Sequence, residues 1–248
     1  MTVKTILFCL PYAGASATIY WQWKGQLSPH IELRPVELAG RGARYDEPYA
    51  ASIADMLKDA VTQIGPQVQE VPYAIYGHSM GAVLAYELYY LLLREGYPPP
   101  VHLLLSGRPA PLSDRKRTFS WSSLKQKLLA PLSFPDGRIP AEIKRRPELA
   151  AKFKKILNAD VRVLETYRLD PARPLINCPV TVFAGLNDKI NREEIQLWNR
   201  HTVHNCEIVW IKGDHFFLHS HMEEVVSVIN QTIPAAIHDQ EGFIQWKR

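Results

Sequence analysis

The chain has 248 residues, 46% of them hydrophobic and 22% charged, with 13 Gly and 19 Pro. That composition excludes disorder, collagen and coiled coil, and the length suits one large core with at most one inserted subdomain. The 29 Lys and Arg against 25 Asp and Glu leave a net charge of +4, far short of a dedicated nucleic-acid binder.

The first predicted element is a buried strand from Thr5 to Leu10. Its apolar run ends after six residues at Pro11, too short for the h-region of a signal peptide even though Ala15-Ser16-Ala17 imitates a cleavage site. Further short runs rich in β-branched residues predict strands at Glu32 to Val36, Tyr73 to Tyr76, Val101 to Ser106, Val180 to Ala184 and Cys206 to Ile211. Helical patterns lie between them. Ser52 to Ile64 opens with Ser52 as N-cap and Asp55 at the third helical position, and Ala82 to Glu95 is stopped by Gly96. Arg192 to Arg200 and Glu223 to Ile233 complete the set. Alternating strands and helices predict an α/β fold with a mostly parallel sheet covered on both faces.

Residues 107–170 break this rhythm. They offer no strand, helical stretches near Leu124 to Leu129 and Pro147 to Tyr167, loop signals at Pro131, Pro135, Gly137 and Pro140, and 15 Lys and Arg against 7 Asp and Glu. This basic segment is expected to be a helical insertion packed over the carboxyl edge of the sheet, where ligands bind in open α/β folds. The α/β core would then comprise 1–106 and 171–237, with a loosely ordered polar tail over 238–248. No apolar stretch is long enough for a membrane span. Cys9, Cys178 and Cys206 are odd in number and lack CxxC spacing, so neither disulfides nor structural zinc are expected and a cytoplasmic setting fits.

Gly77-His78-Ser79-Met80-Gly81 is a G-x-S-x-G between a strand and an apolar helix, the context of a nucleophile elbow. Glycines are needed there so that strand and helix can close on a sharp turn and expose the hydroxyl; the alternative is a glycine-rich turn with Ser79 as a helix N-cap. A serine nucleophile needs a base, itself oriented by an acid. His215, directly after the last strand, is the expected base. His78 is expected to be packed in the elbow, His201 and His204 to be solvated. His215, His219 and His221 lack a carboxylate in step with them, so no metal is expected. Asp188, directly after the strand Val180 to Ala184, is the expected acid; Asp214 is better placed to fix a turn, and Asp160 and Asp170 are expected to be solvated. The second oxyanion donor, beside the amide of Met80, should come from the loop Pro11-Tyr12-Ala13-Gly14-Ala15.

Leu10-Pro11-Tyr12-Ala13-Gly14, Leu38-Ala39-Gly40-Arg41-Gly42 with Arg44 and Glu47-Pro48, the serine elbow, Ser106-Gly107-Arg108, Leu164-Glu165-Thr166-Tyr167 and Gly213-Asp214-His215-Phe216-Phe217 together resemble the stand-alone type II thioesterases of nonribosomal peptide and polyketide synthesis. The resemblance runs from about residue 5 to 235. It implies an α/β-hydrolase fold with a helical lid, and an enzyme that hydrolyses misloaded acyl or aminoacyl thioesters from the phosphopantetheine arm of carrier proteins. It implies Ser79, Asp188 and His215 as the triad, the amides of Ala13 and Met80 as the oxyanion hole, no cofactor, a carrier-domain partner and a monomer. Ala15 and Ala39 depart from it, standing where such proteins usually carry Gly and Pro. Arg41 and Arg44 are left as either loop-anchoring ion pairs or partner contacts, and Arg115, Lys116, Arg117, Lys144, Arg145 and Arg146 as either a docking surface or solvated faces. A medium-chain fatty-acyl thioesterase, a small-ester or lipid hydrolase on the same scaffold, and a non-catalytic carrier-binding module are the alternatives.

Overall fold

A computed structural model describes residues 4–111, 146–170 and 172–238. Six strands, β1 (Thr5–Leu10), β2 (Ile31–Pro35), β3 (Tyr73–His78), β4 (His102–Ser106), β5 (Val180–Gly185) and β6 (Cys206–Ile211), form one parallel sheet in the order β2-β1-β3-β4-β5-β6. Apart from β2 and β6, every strand residue is buried, which is why these segments read as continuous apolar runs rather than alternating ones. The chain steps outward from β1 to β2 and then returns to β3 on the other side of β1. This reversal opens a crevice beyond the carboxyl ends of β1 and β3, and the loops that follow those two strands form its walls.

Helix α1 (Ile53–Ile64) starts as expected: Ser52 Oγ accepts the Asp55 amide at 3.1 Å and donates to the Asp55 carboxylate at 2.7 Å. Helix α2 (Met80–Arg94) begins two residues earlier than its apolar pattern suggested, directly behind Ser79, and is buried along nearly its whole length. It ends in a Schellman motif. Gly96, at φ +83°, gives its amide to Leu93, and the Tyr97 amide reaches Leu92 at 3.0 Å. Helix α3 (Pro147–Thr166) buries Phe153, Ile156, Leu157, Val161, Val163 and Leu164. The stretch predicted as one helix from Arg192 is α4 (Arg192–Gln196) running into a 3₁₀ turn at Leu197–Arg200. The short α5 (Phe217–Ser220) and the 3₁₀ segment Ala17–Trp23 escaped the sequence reading. The last helix, α6 (Met222–His238), reaches into the segment expected to be a loose tail. The helix expected near Leu124 to Leu129, the loops at Pro131 to Pro140, and Arg115, Lys116, Arg117, Lys144 and Arg145 lie outside the described residues, as does 239–248.

No helix among the described residues is long and apolar enough to cross a membrane. Cys9, Cys178 and Cys206 are unpaired and buried, and burial pushes each thiol pKa up.

Candidate active site

Ser79 sits at φ +56°, ψ −105°, the only non-glycine positive φ among the described residues. A serine tolerates so strained a backbone only where its surroundings hold it there. Its amide donates to the Ser106 carbonyl at 2.7 Å, tying the elbow to the end of β4. The glycines on either side are sterically obligatory. A Cβ on Gly77 would stand 2.0 Å from the Gly81 carbonyl oxygen, and one on Gly81 would stand 2.1 Å from that of Leu10. The elbow is thus pressed against the end of β1 and the start of the loop after it.

The loops after β5 and β6 are zipped together by the Leu186 amide on Ile211 and the Asn187 amide on Gly213, at 2.8 and 2.9 Å. Gly185 makes this approach possible, because its Cβ would fall 2.6 Å from the Asp214 carbonyl oxygen. The result places Asp188 beside His215, with Asp188 Oδ2 2.7 Å from His215 Nδ1, and His215 Nε2 3.1 Å from Ser79 Oγ. A carboxylate on Nδ1 selects the tautomer with its proton there, which leaves Nε2 as an acceptor for the serine hydroxyl. Asp214 fixes the turn, as expected, by accepting the Phe216 amide at 2.9 Å.

His78 is fully buried and pairs with Ser106 Oγ through Nδ1 at 2.8 Å. Gly107, at φ +61°, makes room for it, since a Cβ there would meet the imidazole at 2.6 Å. Burial first, then the neighbouring His215 and His219, holds the His78 pKa well below the usual histidine value. It therefore stays neutral, with its ring 5.1 Å from that of His215. Tyr12 packs edge-on against His78, Phe216 and His219, and its hydroxyl meets His219 Nε2 at 3.1 Å.

The loop carrying Ala13 lies beside the elbow. The Ala15 amide closes a turn on the Tyr12 carbonyl at 3.0 Å, and Tyr20 donates to the Leu10 carbonyl at 2.8 Å. Met80 is the first residue of α2, so its amide has no acceptor within its own helix. Among the described residues no three His, Cys, Asp or Glu side chains cluster to hold a metal.

Two sequence expectations change, for Asp160 and His201, and the open reading of Arg44 gains its ion pairs. Asp160 is not solvated: it is 0% exposed, and Arg41, at 1%, grips it with both terminal nitrogens at 2.7 and 2.6 Å. Asp160 follows Phe153 and Leu157 and precedes Leu164 at spacings of 4, 3 and 4, so its place on a helix stripe was the available signal for burial. Arg44 is a loop anchor, bound to Asp59 and Glu47. His201 is half-covered and packs edge-on against Trp198 and Tyr86, whereas His204 is exposed as expected.

A parallel sheet carrying a strained serine elbow, with an aspartate and a histidine hydrogen-bonded to it in the chain order Ser, Asp, His, defines the α/β-hydrolase class. Within that class the chain belongs to the thioesterase family, whose domain matches residues 5–233. It is similar to ClbQ of the colibactin NRPS/PKS pathway, whose solved structure superposes with a TM-score of 0.82 at 32% identity, covering 94% of this chain and 98% of ClbQ. Thioesterase PikA5 of Streptomyces venezuelae is 31% identical over 235 residues, 90% of this chain and 79% of PikA5. The medium-chain S-acyl fatty acid synthase thioesterase of Rattus norvegicus is 30% identical over 215 residues, 86% of this chain and 81% of that protein.

Proposed function

We propose that this protein is a cytoplasmic, monomeric editing thioesterase that hydrolyses misloaded or stalled acyl and aminoacyl thioesters from the phosphopantetheine arm of carrier proteins in nonribosomal peptide or polyketide synthesis. The observation that carries the reading is the hydrogen-bonded run Ser79, His215, Asp188. Its similarity to ClbQ and PikA5 supports the setting.

In the proposed reaction His215 Nε2 takes the Ser79 proton as Oγ attacks the thioester carbonyl carbon. The oxyanion is met by the amides of Ala13 and Met80. The carbon–sulfur bond breaks, the imidazolium returns its proton to the departing pantetheine thiolate, and an acyl-serine remains. Water, deprotonated by the same imidazole, then attacks the acyl-serine, and as the Oγ–acyl bond breaks the imidazolium returns the proton to Ser79 Oγ and the free acid leaves. Asp188 stabilises the imidazolium in both halves, and the neutral His78 places no second positive charge next to it. No step calls for a cofactor. Ser79 is only 1% exposed. Residues 107–170, ending in α3, are the proposed lid.

Mass spectrometry of carrier domains loaded with different acyl groups, before and after incubation, tests the reading. Selective loss of short, misloaded groups supports editing, and Ser79→Ala must abolish it. Similarity to the rat enzyme favours a second reading, release of medium-chain fatty acids, which the same panel would show as a preference for medium over short chains.

A further inference from the structure

The buried pair Arg41–Asp160 needs a reason beyond stability. Withdrawing both charges from water is expensive, and well-packed apolar residues of similar size commonly serve a core as well or better. What distinguishes this pair is that each member holds the same short stretch of backbone. Asp160 Oδ2 accepts the Gly14 amide at 2.8 Å, and Arg41 Nη1 donates to the Ala15 carbonyl at 3.2 Å.

Those contacts bear on Ala13. The Gly14 amide belongs to the peptide unit on one side of the Ala13 Cα, and Asp160 fixes its direction. The Tyr12 carbonyl belongs to the peptide unit on the other side, the unit that also carries the Ala13 N–H, and the Ala15 amide fixes it. In a trans peptide the carbonyl and N–H point oppositely. With Tyr12 O turned to Ala15, the Ala13 N–H is directed away from that turn. Arg41 holds Ala15 itself in place. Gly14, at φ +88°, brings the loop so near α3 that a Cβ would stand 2.8 Å from the Phe153 ring.

We infer that Asp160, gripped by Arg41, is a positioning residue for the oxyanion loop, so that α3 and the Ala13 amide move as one body. Arg41 reaches in from the turn after β2, between Gly40 and Gly42, at φ +80° and +51°. Asp160 comes from α3. The pair therefore makes the geometry of an oxyanion donor depend on the seating of α3. This rests on the reading of Ser79 as nucleophile and Ala13 as donor.

Steady-state hydrolysis of a short acyl-pantetheine thioester by the full chain tests it. Asp160→Asn and the apolar double variant Arg41→Met/Asp160→Met are compared with wild type. The double variant is expected to melt near the wild-type temperature while its kcat falls about 10²-fold, with KM changed less than about twofold. A trifluoromethyl ketone, which forms a tetrahedral oxyanion on the serine, should lose a comparable factor in affinity. A non-hydrolysable thioether of the same acyl group should bind as before, an asymmetry that a purely structural role would not produce. A folded double variant with wild-type kcat overturns the inference. If that variant fails to fold, Asp160→Asn decides: unchanged kcat and ketone affinity overturn it equally. Ser79→Ala, assayed alongside, separates the two levels. Retained hydrolysis there defeats the nucleophile reading, whereas its loss together with fully active Asp160 variants defeats only the positioning role.

Discussion

His215 Nε2 lies 3.1 Å from Ser79 Oγ although 136 residues separate the two, because the carboxyl ends of β3 and β6 deliver both to the same edge of the sheet. Asp188 holds the other side of that imidazole. Asp188→Asn keeps the shape of the site but presents an amide that can stabilise the wrong tautomer, turning an N–H toward the serine. It is expected to lower kcat about 10⁴-fold with an unchanged melting temperature. Single-turnover kinetics with circular dichroism melting checks both halves, and a loss of less than about tenfold would show that Asp188 does not orient the base.

The elbow glycines make a prediction about folding rather than chemistry. A methyl group on Gly81 must displace the backbone of Leu10, and one on Gly77 must displace the backbone of Gly81 itself. Neither obstacle is a flexible side chain. Gly77→Ala and Gly81→Ala should each cost more than about 4 kcal/mol, in the exceptional range for one substitution, and yield little soluble protein. Gly25→Ala is the control, since nothing lies within 4 Å of the added methyl. It should stay within about 0.5 kcal/mol of wild type in urea melts.

Why the strands and the meeting of Ser79, Asp188 and His215 at one sheet edge were legible, and the Arg41–Asp160 pair was not, follows from the physics of each signal. Val180 to Gly185 and Cys206 to Ile211 announce themselves by composition, and a candidate acid or base need only stand just after such a strand to be placed at the sheet's edge. The ion pair joins residues 119 apart that belong to neither a strand end nor a motif of known chemistry. Only the stripe on which Asp160 sits betrays burial, and nothing in the sequence names its partner. Ala17–Trp23 was missed because its run Ala17-Thr-Ile-Tyr-Trp is β-prone; tertiary burial of Tyr20 and Trp23 and the N-cap of Ser16 on the Thr18 amide make it a 3₁₀ segment instead.

The exposed side of α3 bears Lys154, Lys155 and Arg162, all turned to solvent. An acidic carrier surface would be drawn to them over a Debye length of about 8 Å at physiological salt. Replacing all three by Glu should lower kcat/KM for an acidic carrier-bound substrate by about tenfold, with an effect that shrinks in high salt. Turnover of a small soluble thioester should be unaffected. Equal losses on both substrates would place carrier docking elsewhere.

His102 gives the protein an acid sensitivity that has nothing to do with catalysis. It is 6% exposed within β4, its Nε2 meets Thr181 Oγ1 at 2.9 Å, and burial pushes its pKa down from 6.5 to about 4. Below pH 6.5 the unfolded chain takes up a proton at this position that the folded chain refuses until about pH 4, so stability falls as the pH drops through that window. The full separation corresponds to about 3 kcal/mol, reached only at the acid end. His78, His201 and His219, all held low by burial, act in the same direction. His102→Gln removes the titration while keeping a polar group within reach of Thr181. Urea midpoints measured between pH 7.5 and pH 5 should therefore decline less steeply for the variant than for wild type. Parallel declines would mean that His102 is protonated without penalty in the folded sheet, and that the acid sensitivity arises from the other three imidazoles.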